Sequence, residues 1–175
     1  MRSALRRWLW LIALLAAAGC GNATPGAVAT PRVGTRPGEA APALAGTSLE
    51  GHALSLSSMR GAVVVVVFWA SWCTPCQAEQ PAVNTLAEQE LTSGVRFLGV
   101  SVDISRSAAQ SYVARFQVPY DSLVDTGQNI AVDFEVAGPP TTFVIDKSGQ
   151  VSAELVGELN IDDLRADVAS ALSGH

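Results

Sequence analysis

Residues 61–76 read Gly61-Ala62-Val63-Val64-Val65-Val66-Val67-Phe68-Trp69-Ala70-Ser71-Trp72-Cys73-Thr74-Pro75-Cys76. From Ala62 to Trp69 the run is unbroken apolar, mostly β-branched or aromatic, which suits a strand and gives it no polar face. Such a strand belongs at the centre of a sheet, covered on both sides. Beyond it, Ala78, Ala82, Leu86 and Leu91 fall at helical spacing, so residues 75–91 are predicted to form a helix kinked at Pro81. The order is strand, turn, helix, and the cysteine pair sits at the junction.

Working outward, Leu44-Ala45-Gly46 and Leu54-Ser55-Leu56 flank Glu50-Gly51 and read as a small hairpin. Val95–Val102 is the next strand. Ser105 caps a helix running to about Phe116, with Ala109, Val113 and Phe116 on one face. A short helix near 127–134 follows. Thr141–Ile145 and Val151–Val156 are strands joined by the turn Asp146-Lys147-Ser148-Gly149. A last helix opens at Asn160 or Ile161 and buries Leu164, Val168 and Leu172. Alternating strands and helices predict an α/β fold: a mixed central sheet flanked by helices, with an extra N-terminal β-hairpin.

The N-terminus reads differently. Arg2, Arg6 and Arg7 precede an apolar run from Trp8 to Ala18, and small residues lead to Cys20. This is the pattern of a secretory signal peptide over residues 1–19. Eleven apolar residues at ~1.5 Å rise reach only about 16 Å, too short to span a bilayer. Leu15-Ala16-Ala17-Ala18-Gly19-Cys20 resembles a bacterial lipobox, departing from it at Ala17, and this implies a lipid on Cys20; the alternative is ordinary cleavage beside an incidental Cys. Acyl chains there would attach the protein to a bacterial cell membrane from outside the cytoplasm. Residues 20–42, rich in Pro, Gly and Thr, read as a flexible tether, and residues 43–175 as the folded domain.

The 175 residues suit one domain with a sizeable core. Hydrophobic residues make up 49% and charged residues 15%, which excludes a disordered chain. The formal net charge is −5, and no Lys/Arg cluster lies outside the first ten residues, so no nucleic-acid partner is expected. Removal of residues 1–19 would take away three Arg and no acid, leaving a domain that stands off from an anionic membrane surface.

The chemistry lies in Cys73 and Cys76. A Cys at a helix N-terminus meets unsatisfied backbone N–H groups and the positive end of the helix dipole, and both favour the thiolate. A free thiol of pKa ~8.5 is only about 3% ionised at pH 7, and a pKa near ~6.5 would make roughly three-quarters of it reactive. Cys73 is thus read as the attacking sulfur, open to a partner protein, and Cys76, one turn on, as the resolving one. Pro75 fits the first helical turn, where its missing N–H costs nothing. A metal site lacks ligands, since only His52, His175 and Cys20 remain and they are scattered. Covalent haem attachment would need His at position 77, which is Gln. A purely structural disulfide would close too short a loop to constrain the unfolded chain much. No diffusible cofactor is called for.

Phe68-Trp69-Ala70-Ser71-Trp72-Cys73-Thr74-Pro75-Cys76 resembles the active-site stretch of the thioredoxin superfamily. Gln77-Ala78-Glu79-Gln80-Pro81 extends the likeness to its membrane-tethered envelope branch, the thiol–disulfide oxidoreductases of TlpA, ResA and CcmG type. The resemblance covers roughly residues 40–172 and implies a thioredoxin-like fold. It implies that Pro140 is the cis-proline facing the two cysteines. The other reading of Gly138-Pro139-Pro140 is a simple turn. Trp72, Thr74 and Pro75 would then border the substrate groove with Pro140. The buried Asp that cytoplasmic thioredoxins carry two residues before the strand's Trp is Val67 here. Glu79, one turn beyond Cys76, is therefore the candidate to exchange a proton with it, against the reading of a solvated helix Glu. His52 and His175 are read as exposed bystanders, and Asp103 as a loop-side acid.

By the same resemblance, the expected partners are protein disulfides or dithiols, apocytochrome c among them, and a membrane electron-transfer partner, in cytochrome c maturation or envelope disulfide homeostasis. Two other functions are weighed. A peroxiredoxin-type thiol peroxidase carries a Thr shortly before its attacking Cys, and here Ser71 and Trp72 precede Cys73. A non-catalytic module would use the groove near Pro140 only to bind.

Overall fold

The computed structural model describes residues 32–174, so the expected signal peptide, Cys20, the start of the tether and His175 lie outside the described residues. The hairpin forms as expected: β1 (Ala45–Thr47) pairs antiparallel with β2 (Ala53–Ser55). A 3₁₀ turn follows at Leu56–Met59, capped by Ser55. Then come β3 (Val63–Trp69), α1 (Thr74–Glu90), β4 (Val95–Ser101), α2 (Arg106–Phe116), β5 (Ser122–Val124) and α3 (Asn129–Asp133). The chain ends with β6 (Thr141–Ile145), β7 (Val151–Val156) and α4 (Ile161–Ser173).

The main sheet has strand order β5-β4-β3-β6-β7. β3 runs parallel to β4 and antiparallel to β6, so the sheet is mixed. All seven residues of β3 are buried, as its lack of a polar face requires. Successive side chains of a strand point to opposite faces. Phe68 accordingly joins Phe134 and Phe143, with ring centroids 5.4 and 5.9 Å away. Trp69, on the other face, stacks on Tyr112 of α2 at 4.3 Å, and Tyr112 meets Phe116 at 4.6 Å. The core therefore lies on both sides of the strand that delivers the cysteines.

Two expectations shift. The buried face of α2 is Ala109 and Tyr112, with Val113 and Phe116 only partly covered, because Trp69 draws the tyrosine ring inward. In α4, Ala171 rather than Leu172 completes the face begun by Leu164 and Val168. Pro81 lies inside α1, as the expected helix over residues 75–91 has it.

Two segments extend the sheet beyond its expected strands. Gly38 N donates to Val151 O at 2.8 Å, Val151 N to Glu39 O at 2.8 Å, and Ala41 N to Gly149 O at 3.0 Å. Part of the stretch read as tether is thus bonded to the first residue of β7 and to the turn before it. On the opposite side, Leu49 N donates to Ser122 O at 2.9 Å, tying the hairpin to β5, a strand not foreseen. Among the described residues, no helix is long and apolar enough to cross a membrane.

Candidate active site

β3 ends at Trp69 and α1 begins at Thr74, so the four residues between them form a tight turn. Cys73 N donates to Ala70 O at 3.1 Å, closing that turn. Cys73 is the N-cap of α1, and its Sγ accepts from Cys76 N at 3.2 Å. The sulfur therefore takes the role that a Ser or Asp oxygen plays at other helix starts, satisfying an otherwise orphaned N–H. Cys73 and Cys76 are joined as a disulfide, with Cα atoms 5.3 Å apart. Pro75 lies in the first turn of α1.

Both cysteines are buried, Cys73 to 3% exposure and Cys76 to 2%. The sequence reading placed Cys73 in the open. In the disulfide it turns inward to the Cys76 N–H instead. The exposed group is Trp72, at 65%. Thr74 and Pro75 are exposed beside it.

The Pro139–Pro140 bond is cis, and Pro140 is buried at the start of β6. Gly157 N donates to Pro140 O at 2.9 Å, and Thr141 Oγ1 to Gly138 O at 2.9 Å, fixing this loop. A cleft of about 140 Å³ runs between Trp72 and Pro139, lined also by Val102, Gln128, Ala131 and Val136. A larger cavity, about 410 Å³, is lined by Leu91, Arg96, Phe97 and Tyr120 among others and includes neither cysteine.

Glu79 is half-buried, and its Oε2 accepts from Leu159 N at 3.0 Å. Burial pushes its carboxyl above the ordinary range, and the Glu158 charge adds to this, against the lowering effect of the Leu159 bond. The Glu79 charge in turn reaches the Tyr112 hydroxyl, which burial already pushes well above its usual range. Val67 is buried in the strand. His52 is exposed, 3.6 Å from Asp121.

Three residues near the pair escaped the sequence reading. Tyr112 Oη donates toward Cys76 O at 3.0 Å and Gln80 Oε1 at 3.1 Å. Gln80, a helix residue with no distinguishing motif, is 2% exposed and donates through Nε2 to Tyr120 Oη and Asn84 Oδ1. Asp103, read as a loop-side acid, is in fact 3% exposed and bonded to the active-site turn.

A cysteine pair bonded across the first turn of the helix that leaves the central strand of a mixed sheet, with a cis-proline loop beside it, defines a thiol–disulfide oxidoreductase of thioredoxin-like fold. The chain belongs to the AhpC/TSA family, whose sequence model matches residues 37–154. It is 32% identical over 127 residues to the thiol-disulfide oxidoreductase ResA of Bacillus anthracis, covering 73% of each chain. It is 34% identical over 115 residues to the thiol:disulfide interchange protein HelX of Rhodobacter capsulatus, covering 65% of this chain and 63% of that one. Among solved structures, a thioredoxin-family thiol:disulfide interchange protein from Chlorobium tepidum superposes with a TM-score of 0.70 at 29% identity, over 82% of this chain and 98% of the other. The MTB protein dsbF, in mixed oxidised and reduced forms, superposes with a TM-score of 0.68 at 30% identity, over 73% and 94%.

Proposed function

We propose that the protein exchanges disulfides with other proteins outside the cytoplasm, with Cys73 attacking, Cys76 resolving and Glu79 handling the proton. The observation that carries this is the Cys73 Sγ seated as N-cap on the Cys76 N–H, where the helix terminus favours negative charge. In the reducing direction, the Cys73 thiolate attacks a client disulfide. One client sulfur leaves as thiolate and a Cys73–client mixed disulfide forms. Glu79 accepts the Cys76 proton, the Cys76 thiolate attacks Cys73 Sγ, and the second client sulfur leaves. The client gains two electrons and the Cys73–Cys76 disulfide re-forms. A dithiol donor at the membrane then restores the pair. The oxidising direction is the reverse of these steps.

The raised Glu79 carboxyl, which burial inclines toward holding a proton, supports its part in the exchange. Trp72, Gly138 and Pro139 line the cleft where client chain would lie, and Thr74 and Pro75 are exposed next to Trp72 in the chain. The clients proposed are envelope proteins with a cysteine pair, apocytochrome c among them, and the anchor is a lipid on Cys20, with residues 1–19 removed.

Cys76→Ser tests the reading. The variant is expected to accumulate mixed disulfides through Cys73 in the envelope, and a variant that folds but traps nothing would reduce the protein to a binding module. A thiol peroxidase would instead turn over hydrogen peroxide with the intact pair. Equilibration with glutathione gives the direction of flow: about −270 mV marks a thioredoxin-like reductant, about −120 mV a strong oxidant.

A further inference from the structure

Ser71 stands two residues before Cys73, and each of its polar atoms is engaged. Its backbone N donates to Asp103 Oδ2 at 2.9 Å and its Oγ to Asp103 Oδ1 at 2.7 Å. Its carbonyl oxygen accepts from Gln77 Nε2 at 2.7 Å. Asp103, just past the end of β4, also accepts from Ser101 Oγ at 2.8 Å through Oδ2, and its own N donates back to that hydroxyl at 3.2 Å.

A buried carboxylate is costly unless donors surround it. Asp103 has three, and among the described residues no ion pair involves it. Two of the three come from one residue of the active-site turn, and Gln77 grips that residue from the helix side. The turn is thus held between β4 and α1.

We propose that Asp103 is a positioning residue for thiol–disulfide exchange: through Ser71 it fixes the turn that seats Cys73 at the start of α1. The 3.2 Å contact between Cys73 Sγ and Cys76 N depends on where that turn places the Cys73 backbone. Hydrogen bonds weaken steeply as they lengthen and bend. Release of Ser71 lets the sulfur drift from the helix terminus, and its thiolate loses stabilisation. The proposal rests on Cys73 being the attacking sulfur.

The test uses the full-length protein with Asp103→Ala, Ser71→Ala and Asp103→Asn. Three quantities are measured: the iodoacetamide alkylation rate of the reduced protein at fixed pH with the labelled cysteine mapped, the equilibrium constant of the pair with glutathione, and the thermal midpoint. Asp103→Ala is expected to slow Cys73 alkylation about tenfold, a modest cost for a displaced reacting group, and to shift the glutathione equilibrium. Ser71→Ala, which keeps the backbone bond, should move both in the same direction by less. Asp103→Asn should stay near wild type. Its Oδ1 can accept from Ser71 N and Ser101 Oγ, and the Ser71 hydroxyl can turn to accept from Nδ2. If Asp103→Ala does not fold, Ser71→Ala and Asp103→Asn decide. Folded variants that change only the thermal midpoint, or an Asp103→Asn as impaired as the alanine, overturn the positioning role. Preferential labelling of Cys76 in the wild type would instead overturn the assignment of Cys73, and the proposal with it.

Discussion

The Tyr112 hydroxyl lies 3.0 Å from the carbonyl oxygen of Cys76, so a residue of α2 braces the main chain of the second cysteine from behind. The same proton also faces Gln80 Oε1 at 3.1 Å, while the ring stacks on Trp69. Tyr112→Phe keeps the stack and removes the donor from two acceptors in a buried site. It is expected to cost roughly 1–3 kcal/mol in urea unfolding. An unchanged midpoint would mean that the hydroxyl contributes nothing.

Glu79→Gln is expected to show a pH-dependent gain in stability. The folded state raises the Glu79 carboxyl above its unfolded value, so it favours the protonated form. That contribution is complete below the unfolded pKa and is lost as pH rises through the folded one. Gln does not titrate and can still accept the Leu159 N–H. Melting curves between about pH 4 and pH 8 should show the variant's advantage over wild type growing from acid to neutral pH. An advantage that shrinks in that direction has the wrong sign.

Gly99, in the middle of β4, leaves room for the Trp69 indole. A Cβ there would lie 2.8 Å from Trp69 Nε1 and collide with the Ser122 side chain. Gly99→Ala should therefore destabilise by about 1–3 kcal/mol, the usual cost of overpacking, and change the fluorescence of Trp69. A variant with wild-type stability and spectrum would show that the strand yields at no cost.

A chain beginning at residue 43 would lose the hydrogen bonds of Gly38 and Glu39 to Val151 and of Ala41 to Gly149. At roughly 0.5–1.5 kcal/mol for each bond, the loss should be visible in unfolding. It should also speed amide exchange at Val151, whose N–H donates to Glu39 O. Unaltered protection at Val151 would show that the segment is dispensable.

The sequence made the parts with local signals readable. The apolar run 62–69 became a strand buried at every position, and the cysteine spacing placed the pair on the first helical turn. The cis Pro139–Pro140 bond follows the family resemblance, since the dipeptide alone also reads as a simple turn. What stayed hidden was non-local. β5 is three residues long and is held by pairing to β4, so it has too few residues for a pattern. Residues 38–41 bond through their backbones, which leave no mark on side-chain composition. Asp103 is an acid after a strand like many others, and only the three donors that converge on it explain its burial. Tyr112 lies one position from the expected face of α2 because the stacking ring on β3 decides which side chain turns in.

Glu39 bonds to the first residue of β7, Ala41 to Gly149 just before it, and Leu49 to Ser122 of β5, which bears on the company this protein would keep. A protein that handles chains with unmade disulfides works among incompletely folded polypeptides, whose extended segments readily add to any open strand. With both margins of its sheet already occupied over part of their length by its own chain, it offers such segments little template for fibre-like growth. On the proposed function, clients would approach through the end of the sheet where Trp72 projects.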